Sequence, residues 1–291
     1  MNNSYYAIGY CRVEDYELES FRLFEAGVVS LEELEAEKDS EIAFRFYANT
    51  KEERDGIVAR FPHLNFECGE EEARDWDLWW RERQIPVKVS DSLWVRPPWV
   101  NFSAPNPNDI VLALEAKTAF GTGEHSSTAL AAQLMESVDF KGKSILDIGT
   151  GTGILSLFAL KRGAKFAVQT EIDPLTIPCL IENFEQNNES NPNAVLGFLD
   201  SFNEKSKFSI IVCNMIRTEV LPLRKDIERL LASGGEFILS GQLECEKHFI
   251  LDWFKEAGFA VREEIVGEEW WAVTAGPAPQ KRVFLCNSKS E

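Results

Sequence analysis

From Val111 onward, apolar runs with the density of buried strands take turns with runs of helical spacing. Residues 145–148 read as a strand, 154–162 as a helix, 166–172 as a strand, 174–187 as a helix and 194–199 as a strand. Strand 209–214, helix 221–231, strand 236–240 and helix 244–257 follow, and 259–266 with 270–274 make a closing pair. A repeated strand–helix order forces the strands parallel, because each helix must cross back over a face of the sheet. The second part of the chain is therefore predicted to be an α/β, doubly wound sheet.

Residues 1–69 have a different rhythm. Strand 5–13, helix 15–26, strands 28–31 and 42–47, helix 51–60 and strand 64–67 give the order β-α-β-β-α-β, the ferredoxin-like pattern. Asp15 is expected to cap the first helix and Gly27 to stop it. Residues 70–86 form a linker helix in this reading, with Trp76, Trp79 and Trp80 on one face at spacings of three and four. Five of the eight tryptophans fall between Trp76 and Trp99, and packing between domains is their expected use, ahead of an aromatic cage. Residues 87–95 read as one strand, and Pro97, Pro98, Pro105 and Pro107 mark a stiff connection. The expected organisation is thus a small domain at 1–69, a linker helix at 70–86 and a large domain at 87–291.

The strongest local signal is the run Asp147-Ile-Gly149-Thr-Gly151-Thr-Gly153, where an apolar strand enters a glycine-rich turn and a helix begins at once. Glycines let the backbone turn sharply and let a ligand approach with no Cβ in the way, and ligands of such sheets bind beyond the carboxyl ends of the strands. The Gly-x-Gly-x-Gly spacing differs from the dinucleotide fingerprint, whose pyrophosphate calls for bare backbone amides at a helix start. An acid beside the loop suits S-adenosyl-L-methionine, which has no phosphate but carries an amino group, a sulfonium cation and a ribose. Asp147 is the candidate for the amino group, and Glu171, 22 residues after Gly149, for both ribose hydroxyls. Asp173, before Pro174, is expected to cap the next helix. Asp200 stands at the third strand tip, as an adenine contact or a turn residue. Asn214, at the fourth tip, sits where a methyl group would leave the sulfur, and its carbonyl oxygen can accept from an amine.

On these residues and others the sequence resembles the methyltransferases of large-subunit ribosomal protein eleven. Phe120-Gly-Thr-Gly-Glu-His125-Ser-Ser-Thr128 is similar to that family's Phe-Gly-Thr-Gly-Thr-His-Pro-Thr-Thr segment, which covers the cofactor. Residues 147–153 match its glycine loop, Asn214-Met-Ile its Asn-Ile-Leu, and 76–99 its tryptophan-rich linker, with Ser240-Gly241 and Glu269-Trp270 as later landmarks. The resemblance covers most of residues 70–275; over 1–69 only the element order agrees. It implies a class I methyltransferase sheet, mostly parallel with one antiparallel strand, and Thr128, Gly149, Glu171 and Asn214 holding the cofactor, with Gly151 in the same loop. It also implies a small first domain that grips the ribosomal protein, and methylation of lysine side chains and the terminal α-amine. Glu124 stands in place of a threonine, and Arg217 in place of a small residue near the substrate mouth.

The net charge is −18, with much of the acid in residues 14–41 and 67–77. Such a surface repels nucleic acid and attracts a basic protein partner. Six cysteines without a Cys-x-x-Cys pair and three dispersed histidines argue against a metal site or a disulfide framework, so metal ligands are not expected. His125 is expected to order its own loop. No signal peptide or membrane span is expected, and a cytoplasmic monomer is. Competing readings are the same chemistry on another protein, such as an electron-transfer protein, a fold that binds the cofactor without turnover and, more distantly, a nicotinamide dehydrogenase.

Overall fold

The computed structural model describes residues 3–34, 41–72, 84–115, 121 and 123–278, and the chain divides into two compact units, Met1–Arg83 and Gln84–Glu291. Most of the expected linker helix 70–86, with Trp76, Trp79 and Trp80, lies outside the described residues, as do Phe120 and Thr122.

In the first unit, β1 (Asn3–Arg12), β2 (Glu32–Leu34), β3 (Glu41–Ala48) and β4 (Glu67–Glu72) form one sheet in the order β2-β3-β1-β4. Every neighbouring pair is antiparallel, which is the ferredoxin-like arrangement the element order predicts. Helices α1 (Tyr16–Glu25) and α2 (Lys51–Arg60) pack with the sheet around Leu23, Phe44, Phe46 and Ile57. Thr50 caps α2 by accepting from Glu53 N at 3.1 Å, and Glu53 Oε2 in return accepts from Asn49 N. Asp15 makes no such cap on α1: its carboxylate is taken by Arg12, across the 3-10 turn Val13–Asp15. Two strands also lie later than expected. Residues 28–31 are irregular and 32–34 pair instead, while Pro62–Leu64 makes a 3-10 turn that pushes the closing strand to Glu67.

The second unit opens with β5 (Val87–Lys88), β6 (Leu93–Arg96) and β7 (Ile110–Ala113), a three-stranded sheet. The single strand expected at 87–95 is broken, because Glu136 draws Ser90 and Ser92 into a turn. Glu136 ends α3 (Ser126–Glu136). The main sheet follows: β8 (Ser144–Ile148), β9 (Phe166–Glu171), β10 (Asn193–Leu196), β11 (Phe208–Asn214), β12 (Leu231–Leu243), β13 (Phe259–Gly267) and β14 (Trp270–Pro277). Their order is β10-β9-β8-β11-β12-β14-β13, and β14 runs antiparallel to both neighbours while the rest are parallel. This is the mostly parallel sheet with one antiparallel strand that the sequence implies. Helices α4 (Ile154–Lys161), α5 (Ile177–Gln186), α6 (Arg217–Val220), α7 (Arg224–Leu230) and α8 (Lys247–Ala257) provide the crossovers.

Alternation along the strands feeds two separate cores. Ile145, Ile210, Val212 and Ile238 face one side with Leu134, Leu157 and Phe158, while Leu146, Ile211, Phe237 and Leu239 face the other with Ile227, Trp253 and Phe254. Burial on both faces explains why these strands read as unbroken apolar runs. Both cores hold the sheet rigid, and β8, β9 and β11 point their carboxyl ends into one shared cavity.

Candidate active site

The tip of β8 turns through Gly149 (φ 65°), Gly151 (φ 52°) and Gly153 (φ 82°), a left-handed backbone that favours glycine. A Cβ on Gly149 would lie 3.0 Å from the Met215 sulfur, so the loop needs glycine for space as well as for φ. Gly149 N and Thr150 N both donate to the Thr170 carbonyl, at 3.0 and 3.1 Å, which locks the loop to β9.

Asp147 lies behind this loop, fully buried. Its Oδ2 accepts from Thr150 Oγ1 at 2.7 Å and from Ser156 N and Oγ at 3.2 and 2.7 Å. Burial pushes its carboxyl up to about 6, against those hydrogen bonds, which favour the charged form, with the Glu171 charge adding to the rise. Asp147 thus braces the turn and the first turn of α4.

The cavity beyond the loop has a volume of about 640 Å³. Gly149 and Gly151 form its floor, Glu171 and Asp173 one wall, and Asn214, Met215 and Ile216 the other, with Ile172, Phe198 and Leu199 supplying apolar surface. Glu171 Oε2 accepts from Gly151 N at 3.2 Å, while Oε1 accepts from Ile172 N and Asp173 N at 2.8 and 3.3 Å. Among the described residues, the charged ones lining the cavity are Glu171, Asp173 and Glu219, all acidic. These acids repel a pyrophosphate and suit a cationic, phosphate-free nucleoside. Residues and volume both fit S-adenosyl-L-methionine.

Asn214 is set by α3. Its Nδ2 donates to Thr128 Oγ1 at 3.1 Å, which leaves Oδ1 buried and without a hydrogen-bond partner among the described residues. Thr128 is itself buried, and the Oγ of Ser240, on the neighbouring strand, donates to the Ser127 carbonyl at 2.7 Å. His125 starts α3: Ser127 N donates to its Nδ1 at 3.2 Å and its ring meets Trp270 edge-on at 5.0 Å.

Of the six residues singled out from sequence, Gly149, Gly151, Glu171 and Asn214 line the cavity, whereas Thr128 and Asp147 stand behind it as braces. Asp173 does not cap α5. It accepts from Leu175 N at 2.9 Å in the turn ahead of Thr176, because Pro174 and Pro178 delay the helix to Ile177. Asp200 is exposed in the turn Leu199–Ser201 and does not line the cavity.

Sequence reading missed Asn183 in α5 and Asn187 at its carboxyl cap. Asn183 exchanges bonds with both Glu115 N and Glu115 O and donates to the Thr152 carbonyl, while Asn187 pairs with Ala113 N and O. Thr152 Oγ1 in turn donates to the Gly121 carbonyl at 2.6 Å. These groups tie the ends of the segment at 113–121 to the glycine loop. The signal was present in the sequence: two amides four residues apart on the helical face that also carries Leu180 and Phe184.

Comparison with known proteins agrees with this geometry. The sequence profile of the family described as ribosomal protein L11 methyltransferase matches residues 13–277. A ribosomal protein L11 methyltransferase of Chromohalobacter salexigens is 31% identical over 218 residues, 75% of this chain and 71% of that protein. One from Geobacter metallireducens is 33% identical over 196 residues, 67% of this chain and 64% of that protein, so the chain matches about two thirds of the length of these relatives. The crystal structure of a ribosomal protein L11 methylase from Lactobacillus delbrueckii subsp. bulgaricus superposes with a TM-score of 0.62 at 25% identity, covering 66% of this chain and 98% of the other. A profile match spanning both units, joined to a glycine loop, an acidic second strand tip and an asparagine at the fourth, places the chain in the ribosomal protein L11 methyltransferase family.

Proposed function

We propose that this protein transfers methyl groups from S-adenosyl-L-methionine to amino groups of ribosomal protein L11, on lysine side chains and on the terminal α-amine. The observation that carries the chemistry is the buried Asn214 Oδ1, without a hydrogen-bond partner among the described residues, beside an acid-lined cavity floored by glycines. Family membership supports the acceptor.

In this reading Gly149 and Gly151 admit the ligand, Glu171 turns from its backbone amides to the ribose hydroxyls, and Thr128 and Asp147 keep Asn214 and the loop in place. When bound, the cofactor supplies a sulfonium methyl: the acceptor nitrogen's lone pair forms the new C–N bond as the C–S bond breaks, and its electron pair stays on sulfur. Asn214 Oδ1 accepts an N–H of the amine and aims the lone pair, so the protein contributes alignment. A lysine of ordinary pKa, about 10.4, must first lose a proton. Transfer from the ordinary aqueous position into a closed site favours the neutral amine, and water takes the proton.

Residues 1–69 serve as the recognition domain and 87–291 carry the chemistry. On α1 of the first unit, Leu18, Phe21 and Phe24 are exposed at three-residue spacing among acids Glu14, Asp15, Glu17 and Glu25, a surface that suits a basic protein with apolar side chains. With a net charge of −18, the protein works as a monomer in the cytoplasm and avoids nucleic acid. No helix among the described residues is long and apolar enough to cross a membrane.

The test is transfer of tritiated methyl from the cofactor to recombinant ribosomal protein L11. Label should appear on its amino groups, and Asn214→Ala should lower kcat roughly 100-fold. Cofactor binding without any label on the ribosomal protein would overturn the acceptor assignment.

A further inference from the structure

The sequence places Arg217 just past Asn214, where a free positive charge would repel a basic acceptor. In the structure that charge is engaged elsewhere. Arg217 Nε donates to Glu246 Oε1 at 2.8 Å, and its guanidinium lies 4.5 Å from the centre of the Phe249 ring. Glu246 ends the turn ahead of α8 and Phe249 belongs to α8, so an ion pair and a cation–π contact hold Arg217 against that helix. Arg217 is not among the described residues that line the cavity.

Glu219 has the opposite placement. Residues two apart on a helix do not face the same way, and Glu219 lines the cavity with Ile216 and Pro222. All three are also exposed, so they form its rim on the Asn214 side. The three acids of the cavity differ in how they are occupied. Glu171 accepts from three backbone amides and Asp173 from Leu175 N. The Glu219 carboxylate makes no hydrogen bond and no ion pair among the described residues. Its charge is nevertheless felt inside: burial first, then Asp147 and Glu219, push up the thiol of Cys213, the residue before Asn214. Behind the rim stands Asn214 Oδ1, buried and without a hydrogen-bond partner among the described residues. A charged acceptor at the rim and a neutral one within suit the two forms of an amine, ammonium outside and free base inside.

We propose that Glu219 is a specificity residue for the acceptor: its carboxylate takes the ammonium form of the amine to be methylated at the rim of the cavity, and Asn214 takes the neutral form within. The inference rests on the amine-methylation reading above. The ammonium gives a proton to water and passes to Asn214 Oδ1 as the free amine. Its lone pair forms the C–N bond while the C–S bond breaks and leaves its electron pair on sulfur. The nitrogen is then cationic again, and Glu219 draws it back to the rim. Arg217, pinned by Glu246 and Phe249, neither neutralises Glu219 nor repels the incoming cation.

Steady-state kinetics on ribosomal protein L11 read this role. Glu219→Gln should raise KM about fivefold and change kcat less, and Glu219→Asp, which restores the charge, should recover most of the loss. n-Butylammonium has the charge of a lysine side chain and no flanking sequence. It should compete with ribosomal protein L11 at the wild-type enzyme, and about fivefold more weakly at Glu219→Gln. Calorimetry with S-adenosyl-L-methionine and S-adenosylhomocysteine separates the acceptor's charge from the sulfonium: the ratio of the two affinities should be the same in Glu219→Gln as in wild type. An unchanged KM, no competition by n-butylammonium at the wild-type enzyme, or a loss of affinity confined to the sulfonium form would each overturn the role of Glu219 while leaving the functional reading intact. No methyl transfer to ribosomal protein L11 by the wild-type enzyme would overturn the functional reading, and this inference with it.

Discussion

Asp147 shows how a single side chain can set the shape of a ligand site without facing the ligand. A loop with three glycines has a large conformational entropy to lose, and three hydrogen bonds to one buried oxygen restrain it. Burial opposes the negative charge and raises the carboxyl to about 6 from an ordinary value near 3.8. For an acid whose pKa is raised on folding, the native state binds the proton more readily than the unfolded chain. Its contribution therefore favours folding at low pH and is lost as pH rises through about 6. Asp147→Asn keeps an acceptor for Thr150 and Ser156 but has no charge to bury. Relative to wild type, the variant's melting temperature should improve as pH goes from about 3.8 to about 6 and change little above that. A constant difference over that range would show that Asp147 does not titrate there.

At the scale of elements, α3 has the most to do. Its first turn carries Thr128, which holds Asn214, and its last residue, Glu136, organises the turn between β5 and β6. Glu136 accepts from Ser90 Oγ and from Ser92 N and Oγ, and its Oε2 meets Arg162 at 2.6 Å. Burial would push its carboxyl up, but the serine hydrogen bonds and the Arg162 charge outweigh that and hold it below the usual range. Glu136→Ala should cost about 2–3 kcal/mol and lower the melting temperature by roughly 5–10 °C. The loss should shrink as pH falls, because a depressed carboxyl gives up its stabilising contribution on protonation.

Elements with one strong local cause were legible in the sequence. The glycine loop, α2 and β8 fall within one residue of expectation, because turn chemistry and apolar runs determine them locally. Elements that depend on distant partners were not. Residues 87–95 look like one strand until Glu136, more than 40 positions away, claims both serines. Gln242 reads as an ordinary polar residue near a strand end, and its burial emerges only when β14 lies alongside. For the site itself, Gly149, Gly151, Glu171 and Asn214 were visible as strand tips, whereas the bracing by Asn183 and Asn187 required knowing that α5 faces residues 113–115.

The whole molecule joins a rigid catalytic sheet to a small unit with an exposed apolar stripe. If α1 docks the proposed substrate, Phe21→Ser, at a side chain 60% exposed, should raise KM for ribosomal protein L11 several-fold and leave kcat and the cofactor Kd unchanged. Charge should act through the on-rate, so the same KM should climb as salt is added. An unaltered KM in the serine variant would move recognition to another surface.

The place of β14 has a consequence for synthesis. Trp271, Ala272, Val273 and Ala275 are fully buried between β12 and β13, yet they are made after both of those strands. Until β14 is made, β12 therefore presents an edge whose native partner is absent. The nascent sheet stays open until residue 277 has emerged, and a product terminated before β14 is a target for chaperones and proteases.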